Sequence, residues 1–256
     1  MRFGLVLLIT TLAGLSTGVG GILAVLVRPG DRLLAGAMGF AAGVMIAVSL
    51  ADLCPGAAGY YLKAFSPLGA GAALASLFAM GMLLAALLER CLPEKTAFAG
   101  AGEGKRGMAL RSAAATGLAL LLHNLPEGIL TLFTGAADPH LGARTALAIA
   151  MHNIPEGLAV SVPLFYATQS RAKAAGAAFA SGLAEPLGAV LAWGLLHEAL
   201  SPSFLNGMTV LVAGIMTWVG AAQLLPAGWA FGRPGCTSFG FGVGSAFMLL
   251  GIAALQ

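Results

Sequence analysis

The sequence has few charged residues for its length. Of 256 residues, only 13 are Lys or Arg and 10 are Asp or Glu, so charged residues make up 9% of the chain. A water-soluble domain carries about 25% charged residues, and a nucleic-acid-binding protein needs a concentrated basic surface. The composition therefore excludes a soluble enzyme, a nucleic-acid-binding protein and a disordered chain.

Cysteine is also scarce. Cys54, Cys91 and Cys236 lie far apart and form no C-x-x-C pair. This spacing excludes a disulfide framework and a site built from several thiolates.

In place of charged residues and cysteines, the sequence contains long apolar stretches. Hydrophobic residues make up 59% of the chain, and about 20 consecutive apolar residues are enough to cross a bilayer as a helix. We therefore predict an all-α integral membrane protein, a single transmembrane domain over residues 1–256 with eight transmembrane helices. The predicted spans are 3–27, 33–53, 66–88, 112–135, 141–167, 172–200, 204–231 and 236–256.

The basic residues indicate how these helices are oriented. Ten of the thirteen fall in or beside odd-numbered loops, and only Arg2, Lys63 and Arg144 fall on the other side. By the positive-inside rule, both termini of this multi-pass protein lie on the outer side of the cell (inner) membrane. The third loop, at about 91–111, is rich in Gly, Ala and basic residues, and we expect it to be flexible and cytoplasmic.

An internal repeat relates the two ends of the chain. Residues 43–45 (Gly-Val-Met) match 214–216 (Gly-Ile-Met), and 52–55 (Asp-Leu-Cys-Pro) match 223–226 (Gln-Leu-Leu-Pro). The first and sixth spans also correspond, with Gly14 aligned to Gly182. Because each helix and its mate cross the bilayer in opposite directions, helices 1–3 and 6–8 form an inverted repeat around a central helix 4/5 pair. Inverted repeats are typical of secondary transporters, whose substrate site lies near the midplane.

The fourth and fifth spans each carry one hexapeptide at mid-depth, His-Asn-Leu-Pro-Glu-Gly at 123–128 and His-Asn-Ile-Pro-Glu-Gly at 152–157. Within each, His and Glu are four residues apart and share a helix face. Glu185 lies equally deep in the sixth span, and no Lys or Arg does. Ionised carboxylates at this depth are costly unless paired, so either they are protonated or a bound cation neutralises them. This set of His, Glu and Asn suits a divalent ion such as Zn²⁺, Fe²⁺, Mn²⁺ or Co²⁺.

Other interpretations use the same residues. The histidines and glutamates could have a purely structural role, as hydrogen-bonded links between helices, or they could relay protons. An intramembrane zinc-dependent hydrolase would use a metal-activated water, although the sequence has no His-Glu-x-x-His motif. A metal exporter would share every residue and differ only in direction.

The paired hexapeptides and the Ser-Gly-Leu-Ala-Glu-Pro stretch at 181–186 resemble the ZIP (Zrt/Irt-like) metal-ion transporters, in particular their bacterial ZupT-type branch. The resemblance implies transport into the cytoplasm, chiefly of Zn²⁺ but also of Fe²⁺, Mn²⁺, Co²⁺ or Cd²⁺, with no catalytic cofactor and no enzymatic activity. A homodimer is left open. The resemblance further implies a binuclear metal site in which Glu127 and Glu156 bridge the two ions. Its ligands would be His123, Asn124, Glu127, His152, Asn153, Glu156 and Glu185, with Met45 as a weaker candidate.

Further polar residues are candidates for the two mouths of the pathway. On the predicted topology Asp52 lies toward the outer side. Its repeat mate Gln223 lies toward the inner side, at a position where ZIP relatives commonly have an acidic residue. The remaining candidates, near the outer ends of spans four to six, are Asp138, His140, His197 and Glu198.

Overall fold

The computed structural model describes residues 3–28, 30–91, 104–196 and 201–255, and every regular element within these ranges is a helix. The helices are α1 (Phe3–Leu26), α2 (Asp31–Val48), α3 (Cys54–Ala64), α4 (Pro67–Cys91), α5 (Lys105–Ala137), α6 (Pro139–Thr168), α7 (Arg171–Gly182), α8 (Ala184–Leu191), α9 (Pro202–Trp218), α10 (Leu225–Ala230) and α11 (Pro234–Leu255). The π-helical segments Ser49–Leu53 and Val219–Leu224 join α2 to α3 and α9 to α10, and a third, Ala192–Leu196, follows α8.

Seven helical stretches in the described part of the chain are long and apolar enough to cross a membrane. They are Phe3–Leu26, Asp31–Ala64, Pro67–Arg90, Lys105–Ala136, Arg171–Gly194, Pro202–Ala230 and Pro234–Leu255. Large apolar side chains on their outer surfaces are exposed, for example Leu12 at 58% and Leu250 at 72%. A water-soluble protein does not expose so much apolar surface, and the chain is a multi-pass membrane protein.

The helix α6 is 30 residues long but is not among these seven stretches. It carries the second hexapeptide, and those polar residues together with Arg144 lower its mean hydropathy. It packs against α1, α2, α5, α7 and α11, and the polar residues of its hexapeptide, His152, Asn153 and Glu156, are buried in the bundle. Its membrane crossing, and with it the count of eight, stays a prediction.

Helix ends gather at two faces of the bundle. We call the face that carries Phe3 and Leu255 the terminal face. The opposite one, which we call the basic face, carries the ends of α1 and α6 and the starts of α2 and α5. There Asp31 pairs with Lys105 and accepts a hydrogen bond of 3.1 Å from the Tyr166 hydroxyl. The basic residues at this face are Arg28, Arg32, Arg90, Lys105, Arg106, Arg111, Arg171, Lys173 and Arg233.

Two predicted helix boundaries are wrong. The second span does not end at Leu53, because the helix continues through a π-helical turn to Ala64. Pro55, which has no backbone N–H to donate, is tolerated there because the π-helical turn before it changes the local hydrogen-bond pattern, with the Cys54 N–H bonded to the Ser49 carbonyl. The predicted loop at 91–111 is also too long, since α5 begins at Lys105. Residues 92–103 of that loop lie outside the described residues.

Glycines bring several of the helices into close contact. A Cβ atom at Gly14 of α1 would overlap the carbonyl of Gly182 in α7, and a Cβ at Gly182 would overlap the carbonyl of Gly14. Around the two hexapeptides, Gly128 lies equally close to the carbonyl of Glu185, and Gly157 to that of Thr17. Only glycine lets these backbones approach so closely.

Candidate metal centre

The histidine of each hexapeptide contacts the glutamate of the other. The Nε2 atom of His123 lies 3.0 Å from Oε1 of Glu156, and that of His152 lies 3.3 Å from Oε1 of Glu127. Only Asp138 separates α5 from α6, so the two helices are antiparallel neighbours. This arrangement brings the histidine of each hexapeptide to the glutamate of the other. Both helices continue through their internal prolines, so each His and Glu keeps its four-residue spacing on one face.

The asparagines of the hexapeptides link this pair of helices to their neighbours. The Asn153 side-chain amide donates to Oε1 of Glu185 (2.5 Å) and to the carbonyl of Ala13 (2.9 Å). The amide of Asn124 donates to the carbonyl of Ser181 (3.1 Å). The third predicted glutamate therefore lies beside the second hexapeptide, as the sequence suggests, whereas sequence patterns gave no sign of the two carbonyl partners.

The seven predicted ligands are all buried, and each still has a polar atom without a hydrogen-bond partner. These atoms are His123 Nδ1, Asn124 Oδ1, Glu127 Oε2, His152 Nδ1, Asn153 Oδ1, Glu156 Oε2 and Glu185 Oε2. Among the described residues no Lys or Arg forms an ion pair with the three carboxylates. Buried polar atoms normally have a hydrogen-bond partner. A buried cluster of nitrogen and oxygen atoms that have none, together with three carboxylates, is suited to binding a cation.

The spacing within each His–Glu pair is compatible with metal binding. In a tetrahedral zinc site with bonds of about 2.0–2.1 Å, neighbouring ligand atoms are about 3.3 Å apart. The distances of 3.0 and 3.3 Å are close to that value. In the part of the chain that the structure describes, however, no three His, Cys, Asp or Glu side chains converge on one point. The ligand set therefore stays a prediction.

Two connected cavities lead from the terminal face to the second hexapeptide. The outer one, with a volume of about 360 Å³, is lined by Asp52, Arg144 and His152 among others. The inner one, of about 30 Å³, reaches Glu127 and shares His152 with the first. Neither shares a lining residue with the cavity of about 260 Å³ at the basic face. The candidate centre is thus approached from the terminal face.

Comparison with known proteins identifies the family. Residues 99–255 match the family model described as ZIP Zinc transporter. The chain is 40% identical to the zinc transporter ZupT of Corynebacterium efficiens, over 95% of this chain and 94% of that protein. The ZupT of Akkermansia muciniphila is 40% identical, over 96% and 95% of the two chains. The ZupT of Streptococcus mutans is 35% identical, over 97% and 96%. The chain belongs to the ZIP zinc transporter family.

The weaker ligand candidate of this ZIP protein, Met45, is fully buried and belongs to the same apolar core cluster as Met38 and Met216. A thioether can be satisfied there by packing alone, and the role of Met45 as a ligand stays a prediction.

The other predicted pathway residues of this ZIP protein have different surroundings. Asp52 lines the outer cavity. Asp138 and His140 are exposed and line neither cavity, and the Asp138 carboxylate accepts a hydrogen bond of 2.9 Å from the backbone N–H of His140, which caps α6. His197 and Glu198 lie outside the described residues. Gln223 is buried at the basic face.

One residue that lines the cavity at the basic face was not predicted from the sequence. Glu89, near the end of α4, accepts hydrogen bonds from Nε1 of Trp218 (3.1 Å) and Nε2 of Gln223 (3.3 Å). Its position before Arg90 suggests only a solvated helix end. An acidic residue within an otherwise apolar helix is the one signal that could have pointed to it.

Proposed function

We propose that this ZIP protein carries Zn²⁺ across the membrane through a centre formed by the two hexapeptides and Glu185. The observation that supports this most strongly is the buried cross-pairing of two histidines and two glutamates, with which no lysine or arginine of the described ranges forms an ion pair. Two ions bind there, bridged by Glu127 and Glu156. Membership of the ZIP family makes the chain a transporter rather than an enzyme, and so argues against the hydrolase.

The transporter has eight transmembrane helices, and helices 1–3 and 6–8 form an inverted repeat. Two pairs of contacts support this. Gly43 packs against the backbone of Phe241 in α11, and its mate Gly214 packs in the same way against Phe78 in α4. The aligned residues Gly14 and Gly182 pack against each other, as residues beside a pseudo-two-fold axis would.

The π-helical turns support the same repeat. Ser49–Leu53 precedes Pro55, and Val219–Leu224 precedes Pro226, so equivalent segments of the two units have the same unusual conformation. Discontinuous or irregular helices at corresponding positions are a mark of repeats in transporters.

The basic face lies in the cytoplasm of this inner-membrane protein, since it carries nine of the eleven described Lys and Arg residues. Zinc then enters from the outer side through the cavity lined by Asp52 and leaves at the basic face. The exporter would run in the opposite direction through the same residues. Borderline ions such as Fe²⁺, Mn²⁺, Co²⁺ and Cd²⁺ share the preference for these ligands and would also be carried.

Zinc filling of sealed proteoliposomes that contain a zinc-responsive dye tests the proposal. We expect wild-type protein to fill them, and Glu156→Ala to fill them no faster than protein-free liposomes do, because the variant loses a bridging carboxylate. Filling that survives the substitution would show that the centre is wrongly assigned. Failure of correctly folded wild-type protein to fill them would indicate a missing driving ion or the hydrolase, and repeating the assay with a proton or sodium gradient separates the two. Light scattering on the same protein measures whether it is a homodimer.

Neutralising Asp52 should weaken the capture of zinc. Asp52→Asn removes a negative charge from the outer cavity, and we expect the zinc concentration for half-maximal uptake to rise by about threefold to tenfold at low ionic strength. The difference should shrink at high salt, because exposed charges are screened. Asp138→Asn is the matched control, since asparagine still caps a helix and Asp138 lies outside both cavities. Equal effects of the two variants would contradict the assignment of Asp52.

A further inference from the structure

A groove opens on the outer surface of the bundle between α2 and α11, close to the basic face. This α2–α11 groove has a volume of about 420 Å³ and is lined by Arg32, Gly36 and Phe40 of α2 and by Phe239 and Val243 of α11, among others. Phe239 is 75% exposed and Val243 is 43% exposed, so the groove faces the surrounding lipid. It shares no lining residue with the cavities that lead to the second hexapeptide or with the cavity at the basic face.

Two glycines leave this groove open although helix packing does not require them. A Cβ atom at Gly39 or Gly240 would overlap the backbone of the opposite helix, so α2 and α11 can pack closely only with glycine there. At Gly36 the nearest atom of the opposite helix, the carbonyl oxygen of Cys236, would be 3.9 Å away, and at Gly235 no atom of another helix would lie within 4 Å. The space beside these two glycines is therefore available to a molecule from outside the bundle.

The end of the groove at the basic face carries two arginines without an acidic partner. Arg32 lines the groove, and Arg233 immediately precedes α11. Both are exposed, and neither forms an ion pair with any residue that the structure describes. The neighbouring carboxylate of Asp31 is paired with Lys105 instead. Two guanidinium groups are thus free to bind an anion at this end.

The length of the groove matches a single leaflet of the membrane. From Arg32 to Phe40, α2 rises about 12 Å at 1.5 Å per residue. Half of the hydrocarbon core of a bilayer is about 15 Å thick, so a groove that begins at headgroup depth ends before the midplane. Its apolar walls suit an acyl chain, and a guanidinium group binds a phosphate through two parallel hydrogen bonds.

We propose that the α2–α11 groove binds an anionic phospholipid, with the phosphate held by the two arginines and an acyl chain lying along the glycines and phenylalanines. Basic pockets between transmembrane helices on the cytoplasmic side bind headgroups of this kind. The bound lipid contacts both helices and so stabilises their packing. Its assignment to the cytoplasmic leaflet rests on the proposed orientation, whereas the binding itself depends on neither the orientation nor the transport centre.

Native mass spectrometry of the detergent-solubilised protein, titrated with dioleoyl phosphatidylglycerol or dioleoyl phosphatidylcholine, tests the headgroup site. The two lipids have the same acyl chains, but only phosphatidylglycerol carries a net negative charge. We expect wild-type protein to bind phosphatidylglycerol about tenfold more tightly, and Arg32→Gln with Arg233→Gln to lose this preference. Arg171→Gln with Lys173→Gln is the matched control, because it removes the same charge from the basic face outside the groove and should keep the preference.

A variant that fills the groove tests the site of the acyl chain. Gly36→Leu places a branched side chain in the groove at a position that helix packing leaves open, and we expect the preference for phosphatidylglycerol to disappear here too. Folding of every variant is checked by gel filtration. Light scattering on wild type and Gly36→Leu should give the same molecular mass.

Four results would overturn the proposal. Equal affinity of wild-type protein for the two lipids would exclude an anionic headgroup site, and an equal loss in the control pair would mean that the whole basic face attracts anionic lipid. Displacement of the lipid by inorganic phosphate at a similar concentration would identify the ligand as a free anion. A change of molecular mass in Gly36→Leu would show that a second copy of the chain covers the groove.

Discussion

Replacing Glu127 with alanine or glutamine is expected to abolish zinc uptake. Glu127 is buried, lines the cavity that leads from the terminal face, and pairs with His152. Loss of a residue that merely supports a metal ligand costs about 10–100-fold in affinity or activity, so loss of a ligand itself should lower uptake by more than about 100-fold. Glutamine has the same shape as glutamate, and failure of Glu127→Gln would show that the charge, rather than the packing, is required.

Thr131→Val provides the matched control for this experiment. Thr131 lies one helical turn after Glu127, is fully buried, and donates its hydroxyl hydrogen bond to the carbonyl of Glu127 (3.0 Å). Valine has nearly the same shape and carries no metal-binding atom, so we expect uptake within a few-fold of wild type. Uptake is measured per molecule of protein in the membrane. Wild-type rates for both Glu127 variants would mean that the hexapeptides link helices without binding the transported ion.

The sequence was sufficient to predict the candidate centre because the physics of the membrane limits the alternatives. Three glutamates within apolar helices and no lysine or arginine at their depth leave few ways to neutralise the charge. The four-residue spacing of His and Glu fixes which side chains share a face. The structure confirms that the two hexapeptides and Glu185 lie side by side and are buried.

Details that depend on contacts between distant helices could not be predicted. The carbonyls of Ala13 and Ser181, which receive the hydrogen bonds of the two asparagines, carry no side-chain signal at all. Glu89 becomes notable only when α4 packs beside Gln223. The start of α5 was missed for another reason. Its Lys and Arg residues suggested a loop, but these are strong helix formers, and a helix can continue into water beyond the membrane.

The glycine that ends the first hexapeptide, Gly128, should also be sensitive to substitution. We expect Gly128→Ala to impair uptake severely, because the added methyl group would overlap the backbone of Glu185. The contact is reciprocal, since Gly188 of α8 lies equally close to the carbonyl of Leu125. Helices α5 and α8 must then move apart and take Glu185 away from the centre. Overpacking of this kind costs about 1–3 kcal/mol, and a similar loss of ion-binding energy corresponds to about fivefold to 150-fold in affinity.

A second glycine gives the matched control. Gly176, within α7, has no atom of another helix within 4 Å of the position that a Cβ would occupy, and alanine favours a helix more than glycine does. We therefore expect Gly176→Ala to transport zinc like wild type and to have an equal or higher melting temperature. Zinc affinity, melting temperature and uptake are measured for both variants. Normal uptake by Gly128→Ala would mean that Glu185 can move away from the hexapeptides without loss of function, and Glu185 would then have to be removed from the ligand set.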